Sequence, residues 1–439
     1  MADLKQAALR IFRETLAAID IPLVMRRKLH RIDSKIHVDD VPFDLAAFER
    51  IYAVAIGKAS FAMARGLTEL LSPDFRVEGI VVAPMRAIRA PEGFRAIEAG
   101  HPFPDAGSFT AGRAILDLLA TADARTLVFF LLSGGGSALV ELPLAPGVTL
   151  EEMRALHRGL VTCGASIAEM NAVRKHLSAV KGGRLAVAAA AAAKITLGVS
   201  DVPDGQESAL ASGPTLPDPT TVSDACDVVR RYDLLSKFPP SIRTQFEHPE
   251  SIPETPKERD PAFDPRRSAF ELVLGRDDLF HPAHRASEGA GFVTICDNTT
   301  DNWPLQPATD YLLGQLAGLK QACPDRSVAV IADGEVSSPV TGSGIGGRNS
   351  AFVLDCVEKI AGQKVAVLSV GTDGVDGSSP AAGAVADGET SARARTLGID
   401  PAYYFGRSDA YSFFHQLGDA VETGPTGNNL RDLRILLAR

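Results

Sequence analysis

Residues 126–137 read Thr-Leu-Val-Phe-Phe-Leu-Leu-Ser-Gly-Gly-Gly-Ser, an unbroken apolar run that stops abruptly on glycine. A strand that is apolar on both faces must be covered on both, which is the condition of a parallel sheet sandwiched between helices. The same pattern recurs on either side. Ile51–Ile56 (IYAVAI) reads as a buried strand, followed by Gly57-Lys58-Ala59-Ser60 and a helical segment to about Leu71. Gly79–Ala83 and Ile195–Ser200 are further strands, and a helical stretch from about Leu150 to Ala193 carries breaks near Gly164 and Gly182. Within it, the alanine run Ala186–Ala193 predicts close-packed helix. Strands alternating with helices place this half in the α/β class with a Rossmann-like parallel sheet.

The segment Pro239–Arg267 is rich in proline and charge and has no periodicity. It predicts a linker over 239–267, between an N-terminal domain (1–238) and a C-terminal domain (268–439). Beyond it the pattern restarts. Phe270–Leu274, Val293–Ile295, Val328–Ala332 and Val365–Val370 are predicted strands, with helices near Leu279–Glu288, Asp310–Ala322 and Ser350–Ile360. The tail, Leu430-Arg-Asp-Leu-Arg-Ile-Leu-Leu-Ala-Arg439, is a last strand or helix, and its residues are expected to pack back on the N-terminal domain.

A chain of 439 residues is long enough for two domains. The net charge of −9 argues against a nucleic-acid surface while leaving room for a local basic patch. No apolar run is long enough to span a bilayer, and the N-terminus reads as an amphipathic helix rather than a targeting segment. Cys163, Cys226, Cys296, Cys323 and Cys356 are scattered without a CxxC, so neither a disulfide framework nor a zinc site is supported. The expectation is a soluble, cytoplasmic protein.

Ligands of open α/β sheets bind beyond the carboxyl ends of the strands, and polar clusters follow nearly every strand of this chain. Lys58 follows the first and could point at phosphoryl oxygens, although the segment lacks the glycines and the Ser/Thr of a Walker A loop. Ser133-Gly134-Gly135-Gly136-Ser137 is a candidate phosphate or substrate cradle, because glycines let backbone N–H groups approach an anion closely. Asp201, Glu335 and Asp373 stand after other strands. Such carboxylates can hold Mg²⁺ or take a proton from a substrate hydroxyl, and the sequence leaves open which does which. Ser178-x-x-Lys181 sits in a basic helical stretch and reads as coincidence.

The turn Thr341-Gly-Ser-Gly-Ile-Gly-Gly-Arg-Asn349 places Gly344, Gly346, Gly347, Arg348 and Asn349 where a helix begins. A cation beside a row of N–H groups predicts a bound anion. The spacing Gly342-x-Gly344-x-x-Gly347 also matches a dinucleotide fingerprint, but the preceding Val336–Val340 contains Pro339 and is a poor strand.

Several motifs, in this order, resemble the class II glycerate 2-kinase family, whose C-terminal half is the MOFRL domain and whose members are often labelled hydroxypyruvate reductases. They are Gly57-Lys-Ala59, His101-Pro-Phe-Pro-Asp105, Leu132–Ala138, Glu169–Leu185, Ser200-Asp-Val-Pro203, Ala211-Ser-Gly-Pro214, Gly342–Asn349, Gly371–Gly377 and Thr423–Gly427. The resemblance implies two α/β domains with the active site in the interdomain cleft. It also implies ATP- and Mg²⁺-dependent phosphorylation of D-glycerate at its 2-hydroxyl. Lys58 and Arg348 would hold phosphoryl or carboxylate oxygens, and Asp201, Glu335 and Asp373 would be metal ligands or the base. Partners would be the nucleotide and the sugar acid, with neither nucleic acid nor membrane, and a homodimer is left open. Departures from the family pattern near residues 275 and 407 leave a related sugar acid open as substrate. The rival readings are an NAD(P)H-dependent hydroxypyruvate reductase and a non-catalytic sensor.

Overall fold

The computed structural model describes residues 4–38, 41–84, 89–200, 202, 205–275 and 277–439. The chain forms two compact units. One is Ile21–Leu274; the other is Gly275–Arg439 together with the N-terminal helix Leu4–Ala18.

The first unit is organised by a six-stranded sheet: β1 (Arg50–Ile56), β2 (Glu78–Ala83), β3 (Phe94–Glu98), β4 (Thr126–Ser133), β5 (Ala193–Val199) and β6 (Ser268–Leu274). Every pairing is parallel and the strand order is β3-β2-β1-β4-β5-β6. This is the doubly wound arrangement, whose direction reverses between β1 and β4. β4 is buried along its whole length, as its two-faced apolar sequence requires. On one face, Val54, Ile56, Val128, Phe130 and Leu132 pack with Ala111, Ile115 and Leu119 of the helix Ala106–Leu119.

The predicted linker 239–267 is corrected by the structure. Pro240–Glu247 is a helix, and Ile242, Phe246 and Ile252 are buried in a core shared with the helices Leu150–Thr162, Ile167–Leu177 and Val222–Arg231. Proline at a helix start and charge on the outer face mimic a linker when periodicity alone is read. The alanine run is also corrected, since helix covers only Arg184–Ala188 and a turn then leads into β5.

The second unit contains β7 (Val293–Cys296), β8 (Val328–Asp333), β9 (Val365–Gly371), β10 (Gly383–Asp387), β11 (Ala420–Val421) and β12 (Asp432–Ala438). Their order is β7-β8-β12-β9-β10-β11, with only β7–β8 parallel. The final residues form β12 within this sheet. β12 lies in the middle of this sheet, paired antiparallel with β8 on one side and β9 on the other. It is the start of the chain that crosses over: the helix Leu4–Ala18 buries Ala8, Ile11, Phe12 and Thr15, at helical spacing, within this unit. Its Lys5 Nζ bonds Asp419 Oδ2 at 2.7 Å, and Asn428 Nδ2 donates to Ile19 O at 2.8 Å. Among the described residues no helix is long and apolar enough to cross a membrane.

Candidate functional site

In the first unit the switch point between β1 and β4 brings together the two glycine-bearing loops singled out in sequence. Lys58 N donates to Gly134 O at 3.0 Å, and Ala59 N donates to the buried Ser133 Oγ at 3.0 Å. Gly57 is obligatory here: its φ is +124°, and a Cβ would lie 2.1 Å from Ser133 Oγ. Gly135, at φ +87°, has the His101 ring about it, with a Cβ there 3.1 Å from His101 Cδ2 and 3.6 Å from Lys58 Cγ. Lys58, His101 and the Ser133–Ser137 turn thus converge at one end of the sheet.

Two residues missed by sequence reasoning join this group. Ser137 Oγ lies 2.6 Å from Ser212 Oγ, and Ser212 Oγ donates to Asn171 Oδ1 at 3.0 Å. Ala211 and Ser212 both have positive φ, 50° and 62°, a conformation costing non-glycine residues roughly 1–3 kcal/mol each. Backbone bonds from Gly182 to Ser212 O and from Gly183 to Gly213 O hold the segment. The available signal was the Ala211-Ser-Gly-Pro214 motif, whose role is invisible without the long-range pairing.

Just downstream of the cradle lies Glu141, fully buried. It accepts from Lys181 Nζ at 2.7 Å and Ser178 Oγ at 2.6 Å, and lies 3.0 Å from His157 Nε2. Burial alone would raise its pKa; Lys181, followed by His157, reverses this and holds it at about 2. Ser178 and Lys181 are therefore jointly structural, bound through a carboxylate rather than to each other.

In the second unit the glycine turn is arranged differently from the expectation. Gly344 N, Ile345 N, Gly346 N and Gly347 N donate to Arg407 O, Asp409 Oδ1, Ser378 Oγ and Ser350 Oγ. At the helix start Asp376 Oδ1 accepts from Asn349 N at 2.9 Å, while its Oδ2 accepts from Ser350 N at 2.8 Å and Ser350 Oγ at 2.6 Å. The anion at this helix N-terminus is thus the protein's own carboxylate. Burial raises the Asp376 pKa against those hydrogen bonds. A Cβ on Gly347 would lie 2.3 Å from Asp376 Oδ1, so glycine serves this internal contact. Gly344, Gly346, Gly347 and Asn349, expected as ligand-binding groups, have their N–H groups engaged within the fold. The Asn349 side chain is buried and accepts from Ser369 Oγ at 2.6 Å. The dinucleotide reading falls as well: no strand leads into the turn, only an isolated bridge at Ser337.

Arg348 instead faces carboxylates. Its Nε donates to Asp432 Oδ2 at 2.5 Å and its Nη1 to Glu335 Oε2 at 2.7 Å. Burial alone would lower its pKa, but Asp432 and then Glu335 reverse this and raise it. Gly371 separates Asp432 from Asp373: a Cβ there would lie 3.0 Å from Asp373 Oδ1 and 3.5 Å from Asp432 Oδ1. Asp373 Oδ1 also accepts from Val375 N at 3.0 Å. Glu335, Arg348 and Asp373 are therefore gathered at one edge, where β8 and β9 end and β12 begins. Arg434, fully buried on β12, stacks over Phe352 at 5.1 Å, and Arg431 bonds Asp301 and Asp333. Asp201 lies outside the described residues. Among those described, no group of three or more His, Cys, Asp or Glu side chains is placed to hold a metal ion by itself.

Family models match the chain in two parts. Residues 7–247 match a family described as a domain of unknown function, DUF4147, and residues 328–432 match the MOFRL family. A D-glycerate 2-kinase of Thermotoga maritima is 33% identical, over 99% of this chain and 98% of its own length. An Agrobacterium vitis protein named, provisionally, as a hydroxypyruvate reductase is 36% identical over 88% of this chain and 87% of its own. The crystal structure of a glycerate kinase from Thermotoga maritima superposes with a TM-score of 0.83 at 32% identity, covering 99% of each chain.

Proposed function

Because the chain belongs to the class II glycerate kinase family, we propose that it transfers the γ-phosphoryl group of ATP to the 2-hydroxyl of D-glycerate. The observation that carries this reading is the full-length likeness to a D-glycerate 2-kinase, which leaves neither unit of the fold unmatched. The geometry agrees with it. Phosphoryl transfer requires positioning and positive charge on the transferred group more than covalent chemistry. Lys58 stands at the switch point of the first unit, beside a turn rich in donors, and Arg348 presents a planar guanidinium in the second. The nucleotide phosphates are assigned to the Ser133–Ser137 turn and Lys58. The glycerate carboxylate is assigned to Arg348, whose fork matches a planar carboxylate in two contacts.

In the reaction, the 2-hydroxyl oxygen bonds to the γ-phosphorus, the bond to the bridging oxygen breaks, and ADP departs. The hydroxyl proton passes to a carboxylate, for which Asp201 is the candidate. Carboxylates named at the second unit's edge outnumber the guanidiniums there, which suits a divalent cation, and Mg²⁺ is commonly held by one or two carboxylates plus substrate phosphates. Glu335 and Asp373 would hold it, and it would neutralise charge on the phosphoryl oxygens.

The test is ADP release from MgATP with D-glycerate, run beside NADH loss with hydroxypyruvate. ADP formation giving 2-phosphoglycerate is expected. NADH consumption without ADP formation refutes the kinase reading. Lys58→Met and Arg348→Ala should each lower kcat on the order of a thousandfold, and near-normal turnover removes that residue from the mechanism.

A further inference from the structure

Arg348 is held from two sides that differ in kind. Asp432, whose side chain is 5% exposed, accepts from both Nε and Nη2. Glu335, whose side chain is 44% exposed, meets Nη1 at 2.7 Å and Nη2 at 2.6 Å. Asp432 opens β12 between two strands: it is opposite Gly371 of β9, and the next residue, Leu433, is opposite Asp333 of β8. Strand pairing fixes the backbone that carries this carboxylate, and burial leaves its side chain little room to swing. Glu335 lies beyond the end of β8, after Gly334 at φ +101°, outside the ladder. A bidentate contact fixes the plane of a guanidinium, so the buried partner sets Arg348's aim. The solvent-facing partner occupies the edge that another planar carboxylate would use.

From this asymmetry we infer that Asp432 is the positioning residue for Arg348, and that the edge now held by Glu335 is where the substrate carboxylate docks. The identity of that carboxylate rests on the glycerate kinase reading; the fixing of Arg348 by Asp432 does not.

The experiment uses full-length protein carrying ¹⁵N-arginine, with Arg348→Lys identifying the Arg348 Nε–H resonance. That signal should be retained in Glu335→Gln and be lost or exchange-broadened in Asp432→Asn. D-Glycerate added alone should shift it in the wild type. In steady state, Asp432→Asn should lower kcat/KM for D-glycerate roughly 10–100-fold while KM for MgATP holds. Asp432→Glu keeps the charge but displaces the carboxylate; it should move the signal and lower kcat/KM by less, and it serves where the asparagine variant does not fold. A retained signal in Asp432→Asn, an unmoved one in Asp432→Glu, or a kcat/KM loss under about threefold in both overturns the positioning role. Turnover of D-glycerate with no shift on its addition overturns the docking edge. A wild type that neither turns over nor binds D-glycerate refutes the functional reading instead, and the Nε–H comparison still decides Asp432.

Discussion

Lys181→Met would leave the Glu141 carboxylate buried without its main counter-charge, since both side chains are at most 1% exposed. Removing one partner of a buried ion pair costs about 3–5 kcal/mol. The pKa shifts of the two partners oppose each other: Lys181 and His157 lower Glu141 and favour its charged form, while burial lowers Lys181 and disfavours its own. Glu141 is held at about 2 rather than 4.5, because Lys181 and His157 outweigh a burial that would otherwise raise it. A displacement of that size is worth roughly 3 kcal/mol on the Glu141 side alone, before the opposing cost of burying Lys181. The sign of the pH dependence then separates the two proteins. In the wild type a depressed carboxylate contributes stability that is complete above pH 4.5 and lost as pH falls toward about 2. His157, its pKa lowered chiefly by burial, adds an acid-side loss of its own. Without Lys181, burial raises Glu141 above 4.5, so folding takes up a proton and the variant gains stability as pH falls from 7 to 5. His157, 3.0 Å away, can take up that proton to the same effect. Urea and thermal melts followed by circular dichroism at pH 7, 6 and 5 measure both curves, and the thermal melts should show a drop in Tm of roughly 6–20 °C at pH 7. A loss below about 1 kcal/mol, or wild-type and variant curves running parallel from pH 7 to 5, would show that the pair does not carry this energy.

Gly57→Ala should cost about 1–3 kcal/mol and depress kcat, because its Cβ would collide with Ser133 Oγ and prise the β1 and β4 loops apart. Calorimetry and the ADP assay measure the two effects, and a variant normal in both would mean that the loops tolerate the shift. Phe246→Ala should destabilise the first unit by about 3 kcal/mol, as for a core aromatic, whereas a linker phenylalanine would cost almost nothing.

The strands that form the centre of each sheet were legible because they are apolar on both faces: β1, β4, β5, β8 and β9 all follow from their own residues. The β3 strand (Phe94–Glu98) was not, since it is a sheet edge with only Ile97 buried. β12 was ambiguous for the opposite reason. Asp432 and Arg434 interrupt an apolar run with charges that are buried only because partners arrive from other segments. The site divided in the same way. Lys58, Ser133–Ser137 and Arg348 stand beside glycine turns at element ends, and position alone marks them. Asp376 and Asp432 look like ordinary turn and strand residues; their importance lies in contacts to Ser350 and Arg348, 26 and 84 residues away, which no local pattern encodes. The turn at 342–347 was read for its N–H groups, and the loops that use those groups come from residues 376–378 and 407–409.

The middle position of β12 also bears on the order of events during synthesis. β8 and β9 both precede β12 in the chain, yet they meet only through it, and until it is made each exposes an unpaired edge. The helix Leu4–Ala18 likewise meets its partners in this unit only once segments hundreds of residues further along the chain have been made. The intervening stretch, by contrast, has all its strands in hand by Leu274 and can fold while the remainder is still being made. The vulnerable interval for such a chain therefore lies between the synthesis of β9 and that of β12, when two sheet edges await one closing strand.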